Sequence, residues 1–451
     1  MVRWCPLTAL LLASVCLPKF GLAQPPAFPI PDQGVVQAGW KQGGYGGYPP
    51  PGYGMPRGPG SPGNTTFVEL PDDKGFAYEG SPFDKSITNL FSNGSIRLEY
   101  LLWDISNPGR NILGADVASP DINQPDPTQP FDFLIPGTLN QTRAVTPSLQ
   151  NVNTNDNNGI RGTYELPFRA GSFEASIFAL QKSHSAVPIP EEFVIDLNDL
   201  DLDLQTTDSI NAIGAIYTPL LINGVVPLGG LGLVWDQGYR AELQTRVWGT
   251  EGNWVANAFD PGSPLQIRPI IGIRMMEFAE DLRQIGAYNF SVTATDGTVT
   301  TSVVNRKISS TTDNYMYGPQ FGFRSELVSR WVSFGAQPKV MLGMNSYKAK
   351  IQTLNILSPT DINQNLEQTD TTFGIIGDLE VYSKIHVRPH FNLFVGYNLL
   401  WTGLITRPAE NIVYNVSGAV GGAGRQSDFG LDLNYSGALL QGLSVGGELT
   451  Y

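Results

Sequence analysis

Val387-Arg388-Pro389-His390-Phe391-Asn392-Leu393-Phe394-Val395-Gly396-Tyr397-Asn398-Leu399-Leu400-Trp401 is the stretch on which the reading of this chain turns. Every second residue from Val387 gives Pro389, Phe391, Leu393, Val395, Tyr397, Leu399 and Trp401; the other register gives Arg388, His390, Asn392, Phe394, Gly396, Asn398 and Leu400. A period of two with one wholly apolar face is a strand. That face outlasts the usual strand of about five or six residues, and at about 3.3 Å per residue it outreaches a bilayer's hydrocarbon core even when tilted. The stretch therefore reads as a lipid-facing strand of a transmembrane barrel. The end of the sequence repeats the pattern, with Leu443, Val445, Gly447, Leu449 and Tyr451 on one face and Ser444, Gly446, Glu448 and Thr450 on the other. Tyr451 falls where an interfacial aromatic is expected.

Composition agrees. Charged residues make up 15% of the chain and aromatics 10%, and glycine is abundant at 50 residues. The formal charge of −13 makes nucleic acid an improbable partner. Both cysteines, Cys5 and Cys16, lie in an N-terminal segment with Arg3, an apolar run from Leu7 to Leu17 and a small-residue site at Gly21-Leu22-Ala23. This reads as a signal peptide over 1–23, cleaved before Gln24, so the mature chain carries neither a disulfide nor a cysteine-ligated metal. Residues 24–63, with Gly43-Gly44-Tyr45-Gly46-Gly47-Tyr48-Pro49-Pro50-Pro51 at their centre, are too poor in apolar side chains to fold alone and read as a disordered Gly/Pro-rich arm. Residues 64–93 are transitional, and 94–451 form the barrel. A long uncharged run past the leader, Tyr217 to Trp235, is broken by Pro219, Pro227 and several glycines, which a spanning helix would hardly carry together.

From Gly94 onward, alternating segments recur. Ile96, Leu98, Tyr100 and Leu102 oppose Arg97 and Glu99; Ile160, Gly162, Tyr164 and Leu166 alternate with Arg161, Thr163 and Glu165. Further segments lie near 173–177, 208–218, 237–248, 252–259, 265–276, 315–325, 331–347, 371–382, 387–401, 427–435 and 442–451. Single-chain bacterial barrels have even strand numbers, and 252–259 is weak, so the count is about 12, within a range of about 12–14. Stretches 105–157, 183–207, 279–313, 348–370 and 402–426 read as long polar loops. Pro167 to Gly171, Glu326 to Arg330, Ser383 to His386 and Ser436 to Gln441 read as short turns. Long loops outside and short turns inside is the outer-membrane arrangement. The fold class is all-β: an antiparallel transmembrane barrel in the cell outer membrane.

Several stretches carry a resemblance. Glu99-Tyr100-Leu101-Leu102-Trp103, Gly272-Ile273-Arg274 followed by Glu280-Asp281-Leu282, Asn314-Tyr315-Met316-Tyr317-Gly318-Pro319-Gln320-Phe321-Gly322, and Val395-Gly396-Tyr397-Asn398-Leu399-Leu400-Trp401 with Arg407-Pro408 occur in this order. Together they resemble the planctomycete putative β-barrel porin family numbered seven. The resemblance implies an outer-membrane barrel of unknown function and nothing catalytic, with no substrate or functional residue attached to the family. This chain departs from the family pattern at Gly318-Pro319-Gln320, where Gly-Gly-Gln or Gly-Ala-Gln is usual. It departs again after Arg407-Pro408, where Ala409-Glu410-Asn411 replaces a Gly-Asp pair.

The remaining chemical motifs read as structural. Gly442-Leu443-Ser444-Val445-Gly446 has the spacing of a hydrolase nucleophile elbow, but no histidine follows it. His184, His386 and His390 lack the third ligand a metal site needs. Asp196, Asp199, Asp201 and Asp203 lack the glycine and glutamate of a calcium loop and read as a solvated acidic loop.

Sorting charges by strand face gives a lumen lined by Arg97, Arg161, Arg240, Arg246, Arg268, Arg274, Arg324, Lys339 and Arg388. Opposing them are Glu99, Glu165, Glu174, Glu242, Asp378, Glu380, Asp428, Asp432 and Glu448. Signs this nearly balanced can pair across the interior and narrow it. Tyr100, Trp103, Tyr397, Trp401 and Tyr451 read as membrane-interface aromatics. The functional expectation is a passive pore for a small solute, or a structural surface protein, with outer-membrane lipid as its surroundings. The rival reading is a soluble secreted β-sandwich or propeller that binds carbohydrate or protein. The two differ in whether the apolar strand faces are buried or turned outward.

Overall fold

The computed structural model describes residues 94–108, 112–115, 131–134, 141–150, 152–187, 215–222, 231–418 and 425–451. The chain divides into two units, Met1–Lys74 and Gly75–Tyr451. The signal peptide, the arm, the transitional segment and the acidic loop at 196–203 all lie outside the described residues.

Ten strands close on themselves. In chain order they are β1 (Ser95–Ile105), β2 (Asn157–Phe168), β3 (Gly171–Leu180), β4 (Tyr239–Ala256), β5 (Leu265–Thr293), β6 (Val299–Val328), β7 (Val332–Leu354), β8 (Asn365–Arg388), β9 (Phe391–Thr406) and β10 (Tyr435–Thr450). Each pairs antiparallel with its sequence neighbours, and β10 pairs with β1 from Ser95↔Thr450 to Ile105↔Leu440, closing the ring. Closure removes every edge that lipid could not satisfy.

Outward faces carry the apolar alternation. Leu98, Tyr100, Ile160, Ile177, Ile273, Phe321, Val340, Phe373, Leu393, Val395, Tyr397, Trp401, Leu443 and Val445 are all exposed, while the residues between them turn inward. On β6 the outward run from Leu327 to Tyr315 covers roughly 40 Å of strand, or about 30 Å at the tilt usual in barrels, which is the thickness of a hydrocarbon core. Phe168, Phe173, Phe259, Trp331 and Phe334 fringe the short-turn end of this belt. A soluble sandwich would bury these faces, so that rival reading is set aside.

The all-β barrel stands as read, but its strand number is ten, not twelve. The segments near 237–248 and 252–259 are one strand, β4, that runs unbroken through Gly249 and Gly252. The segment near 208–218 contributes to a strand at Ala215–Ile222 that lies off the ring, and the 427–435 region yields only short pieces at Gln426–Ser427 and Gly430–Leu431. Two assigned turns lie inside strands: Ser383 to His386 belongs to β8, and Ser436 to Gln441 to β10. The opening stretch itself contains a turn, at Pro389-His390, so Val387 and Arg388 end β8 and Phe391 begins β9.

At the long-loop end the structure continues above the belt. β5 and β6 project as a hairpin to a tip at 294–298, in place of the expected loop at 279–313. The loops joining β1–β2, β3–β4 and β9–β10 pair with one another in a six-stranded sheet built around Ala215–Ile222. Leu113, Val145, Leu149, Leu220, Leu233, Trp235, Tyr414 and Val416 from these loops pack with Leu243, Leu282, Ile308 and Ile351 from the strand tops. This cap has a hydrophobic core of its own, continuous with the barrel mouth.

Candidate functional site: the barrel interior

Inward residues are stacked in layers along the axis. β1 shows the order, with Arg97 and Glu99 toward the short-turn end, then Leu101, Trp103 and Ile105. β5 repeats it with Arg274, then Met276 and Phe278, then Glu280 and Leu282.

The first layer is charged, and its pairing follows from register. Arg161 lies opposite Glu99 across β1 and β2, Arg274 opposite Glu251 across β4 and β5, and Lys339 opposite Asp378 across β7 and β8. Each adjacent pair is also bridged across the lumen. Arg161 reaches Glu380 of β8, Arg274 reaches Asp378 of β8, and Lys339 contacts Glu251 of β4 at 2.7 Å. Glu165 and Glu174 oppose one another on β2 and β3, and Arg324 of β6 crosses the barrel to bind both. Arg97 holds Glu99 at 2.8 Å, and Lys384 holds Glu448 at 3.2 Å. Charges so deeply placed stand because each has an oppositely charged partner, and several have further hydrogen bonds. Gln320 supports Glu251 at 3.1 Å, and Gln337 supports Arg324 at 3.0 Å.

The second layer is apolar. Trp103 packs on Phe178 with ring centroids 5.6 Å apart, and Met276, Phe278, Met316, Met341, Ile376 and Leu400 complete a plug contributed from around the wall. Where it meets the charged layer, a cavity lined by Trp103, Phe178, Leu400, Arg161, Glu251, Arg274 and Asp378 measures about 20 Å³, room for about one water.

A third layer is polar and clamps the cap. Arg407 binds Glu280, their side chains 1% and 0% exposed, through two contacts of 2.6 and 2.9 Å, and also donates to the carbonyls of Ser106 and Asn107. Asn314 of β6 donates to the carbonyls of Phe278 and Thr406 and accepts from the Thr406 amide; Asn345 of β7 donates to the Leu404 carbonyl. These bonds hold a bulge in β9 at which Leu404 adopts φ of 59°. Ser310 donates to the Pro408 carbonyl. The Glu280, Asn314 and Arg407-Pro408 stretches, scattered in sequence, thus meet in one cluster.

Of the lumen residues assigned from sequence, Arg97, Glu99, Arg161, Glu165, Arg274, Arg324 and Glu448 lie in the charged layer. So do Lys339, Glu174, Asp378 and Glu380. Arg268 faces inward at the short-turn rim beside Gln266, and Arg388 is exposed at that rim.

Five assignments are corrected. Arg240, Glu242 and Arg246 are on the outer wall, where Arg240 pairs with Glu242 and Arg246 with Glu277. That part of β4 rises above the belt, so water wets its outside, and its apolar residues Ala241, Leu243 and Val247 turn inward to the cap and plug. Asp428 and Asp432 sit exposed in the β9–β10 loop. Trp103 is corrected too: it shares parity with Arg97, so it is a plug residue at 2% exposure and not an interface aromatic. Tyr100, Tyr397, Trp401 and Tyr451 are exposed on the outside. Glu251 and Lys384 were missed because each fell within an assumed break or turn, and unbroken parity would have found them. Among the described residues, no cluster of histidine, cysteine and acidic side chains is arranged to hold a metal ion.

A closed antiparallel ring with an apolar belt and a polar, filled interior defines the outer-membrane type of β-barrel. The model of the Putative beta barrel porin-7 (BBP7) family matches residues 96–451, and the chain belongs to that family. Among curated proteins none matches it. Among solved structures it is similar to the outer membrane protease OmpT of Escherichia coli, with 11% identity over 80% of this chain and 97% of that one and a TM-score of 0.40. It is also similar to a Pseudomonas aeruginosa FadL homologue, at 7% identity over 79% and 90% with a TM-score of 0.21. The toluene transporter TodX of P. putida matches at 7% over 80% and 90%, with a TM-score of 0.19. None of the three lends this chain an activity.

Proposed function

We propose that this protein is a non-catalytic outer-membrane barrel whose pore is shut in its resting form and which serves chiefly to hold a folded cap at the cell surface. The observation that carries this reading is the apolar plug around Trp103 and Phe178, stacked directly on a layer of charges already committed to one another. A hydrated solute would have to break ion pairs and then cross an apolar constriction that resists wetting. Acidic groups committed to cations are also poorly placed for acid–base work. Swelling of liposomes containing the refolded protein tests the reading. Small sugars should enter no faster than into protein-free liposomes, and rapid uptake would overturn it.

A further inference from the structure

We propose that the outer wall over β4, β5 and β6 is a binding site for one zwitterionic phospholipid, its acyl chain in a groove of the belt and its head group on a charged cluster above. The proposal rests on the membrane-spanning reading of the belt. Register sets the outward residues of these strands in rows: Trp254, Ile271 and Phe321; then Gly252, Ile273 and Pro319; then Thr250, Met275 and Tyr317. In the middle row Gly252 has no side chain and its neighbour across β3 is only Ala175, so the wall sinks between two bulky ridges. The result is a groove of about 490 Å³ lined by Thr250, Gly252, Ile273, Met275, Tyr317 and Pro319, within the range of about 300–1,000 Å³ typical of ligand sites. At this depth an acyl chain is what fills it.

The next rows up change character. Trp248, Glu277 and Tyr315 come first, and Arg246, Ala279 and Asp313 follow, with Lys348 beside Asp313 on β7. They lie one and two pleats above the groove, about 7 and 13 Å along the strand. Glu277 binds both Arg246 and the Trp248 indole N–H, fixing the floor of the cluster. Arg246 lies 4.0 Å from Asp313, and Lys348 pairs with Glu367 at 2.8 Å, yet the Arg246 and Lys348 side chains remain 52% and 47% exposed and that of Asp313 37%. Exposed cations beside an exposed carboxylate, with a small alanine between, match a phosphate and an amine on one head group. A purely anionic head would meet Asp313 and Glu277 unfavourably.

The test measures phosphatidylethanolamine retained by the full-length protein after exchange into phosphate-free detergent, with phosphatidylglycerol as the comparison. Gly252→Leu fills the groove, and its new Cβ would meet only Phe173, at 3.7 Å, so the barrel should still fold. The paired change Arg246→Ala with Lys348→Ala removes the head-group cations. Wild type should retain about one phosphatidylethanolamine, and each variant should bind it about tenfold more weakly. Equal retention by wild type and Gly252→Leu, no retention by wild type, or equal retention of phosphatidylglycerol would each overturn the proposal. Folding of every variant is read from gel mobility with and without heating. If Gly252→Leu does not fold, Gly252→Val takes its place. Wild-type protein soluble without detergent would instead mark failure of the membrane reading.

Discussion

Arg407 and Glu280 show what single residues do here. Their pair is fully buried, so removing one partner strands a charge, at a cost of about 3–5 kcal/mol, whereas replacing both by apolar groups of similar volume can be nearly neutral. Arg407→Ala should therefore lower the temperature at which the folded gel band is lost, and Arg407→Met combined with Glu280→Leu should recover much of the difference. A single variant as heat-resistant as wild type would show that the clamp does not hold the cap. Both residues are visible in sequence, but only as neighbours of recurring stretches in apparent loops; nothing local says they touch across 127 positions. Trp103 and Arg246 teach the complementary lesson. Parity alone places each correctly, Trp103 with Arg97 and Arg246 opposite Val247, but residue type misleads: tryptophan suggests an interface, and arginine suggests a lumen. Type is informative only once the depth of the residue is known.

Elements were legible where lipid enforces alternation and less so beyond it. The belt portions of β1, β2, β3, β6 and β9 follow from period two alone. The upper halves of β5 and β6 do not, because above the membrane the outer face becomes polar and the inner face mixes Leu282 and Ile308 with polar residues, so Ser, Thr and Asn in a strand look like a loop. Glycine misled at Gly249 and Gly252, where one strand was read as two, whereas Gly343 and Gly318 lie inside segments read as strands and allow β6 and β7 to approach. A Cβ on Gly343 would fall 2.1 Å from the Tyr317 carbonyl oxygen, so Gly343→Ala should separate the strands and reduce folded yield. Near-normal yield would show that the approach is not required.

At the tip of the β5–β6 hairpin, Asp296 accepts from the Thr298 amide at 2.9 Å, and this bond holds its carboxyl below the usual carboxylate range. A lowered folded value means the bond is present above the ordinary carboxylate pKa and lost as pH falls through the lowered one. The Thr298 amide resonance should thus shift only at a pH below that ordinary value, and should not titrate in Asp296→Asn. A shift centred at or above it would remove the bond from the account.

For the whole molecule, three levels are joined: a belt that fits lipid, an interior in charged and apolar layers, and a cap clamped by Arg407. The barrel class could be read from Val387 to Trp401 outward. The strand number could not, because it depends on which loops leave the ring to build the cap, and such pairings span distances no local pattern reports. The interior could be read in part, since balanced charges imply pairing, but the plug was hidden behind Trp103 and Phe178, whose apolar surfaces resemble those that face lipid. If the plug closes the pore, Trp103→Ala combined with Phe178→Ala should raise conductance severalfold while the ion pairs beneath persist. The most direct test of the central claim is the conductance of the refolded wild-type protein in a planar bilayer. The barrel should insert yet pass only small, intermittent currents with weak selectivity; a large, steady, strongly ion-selective current would rule out a plugged, ion-paired interior.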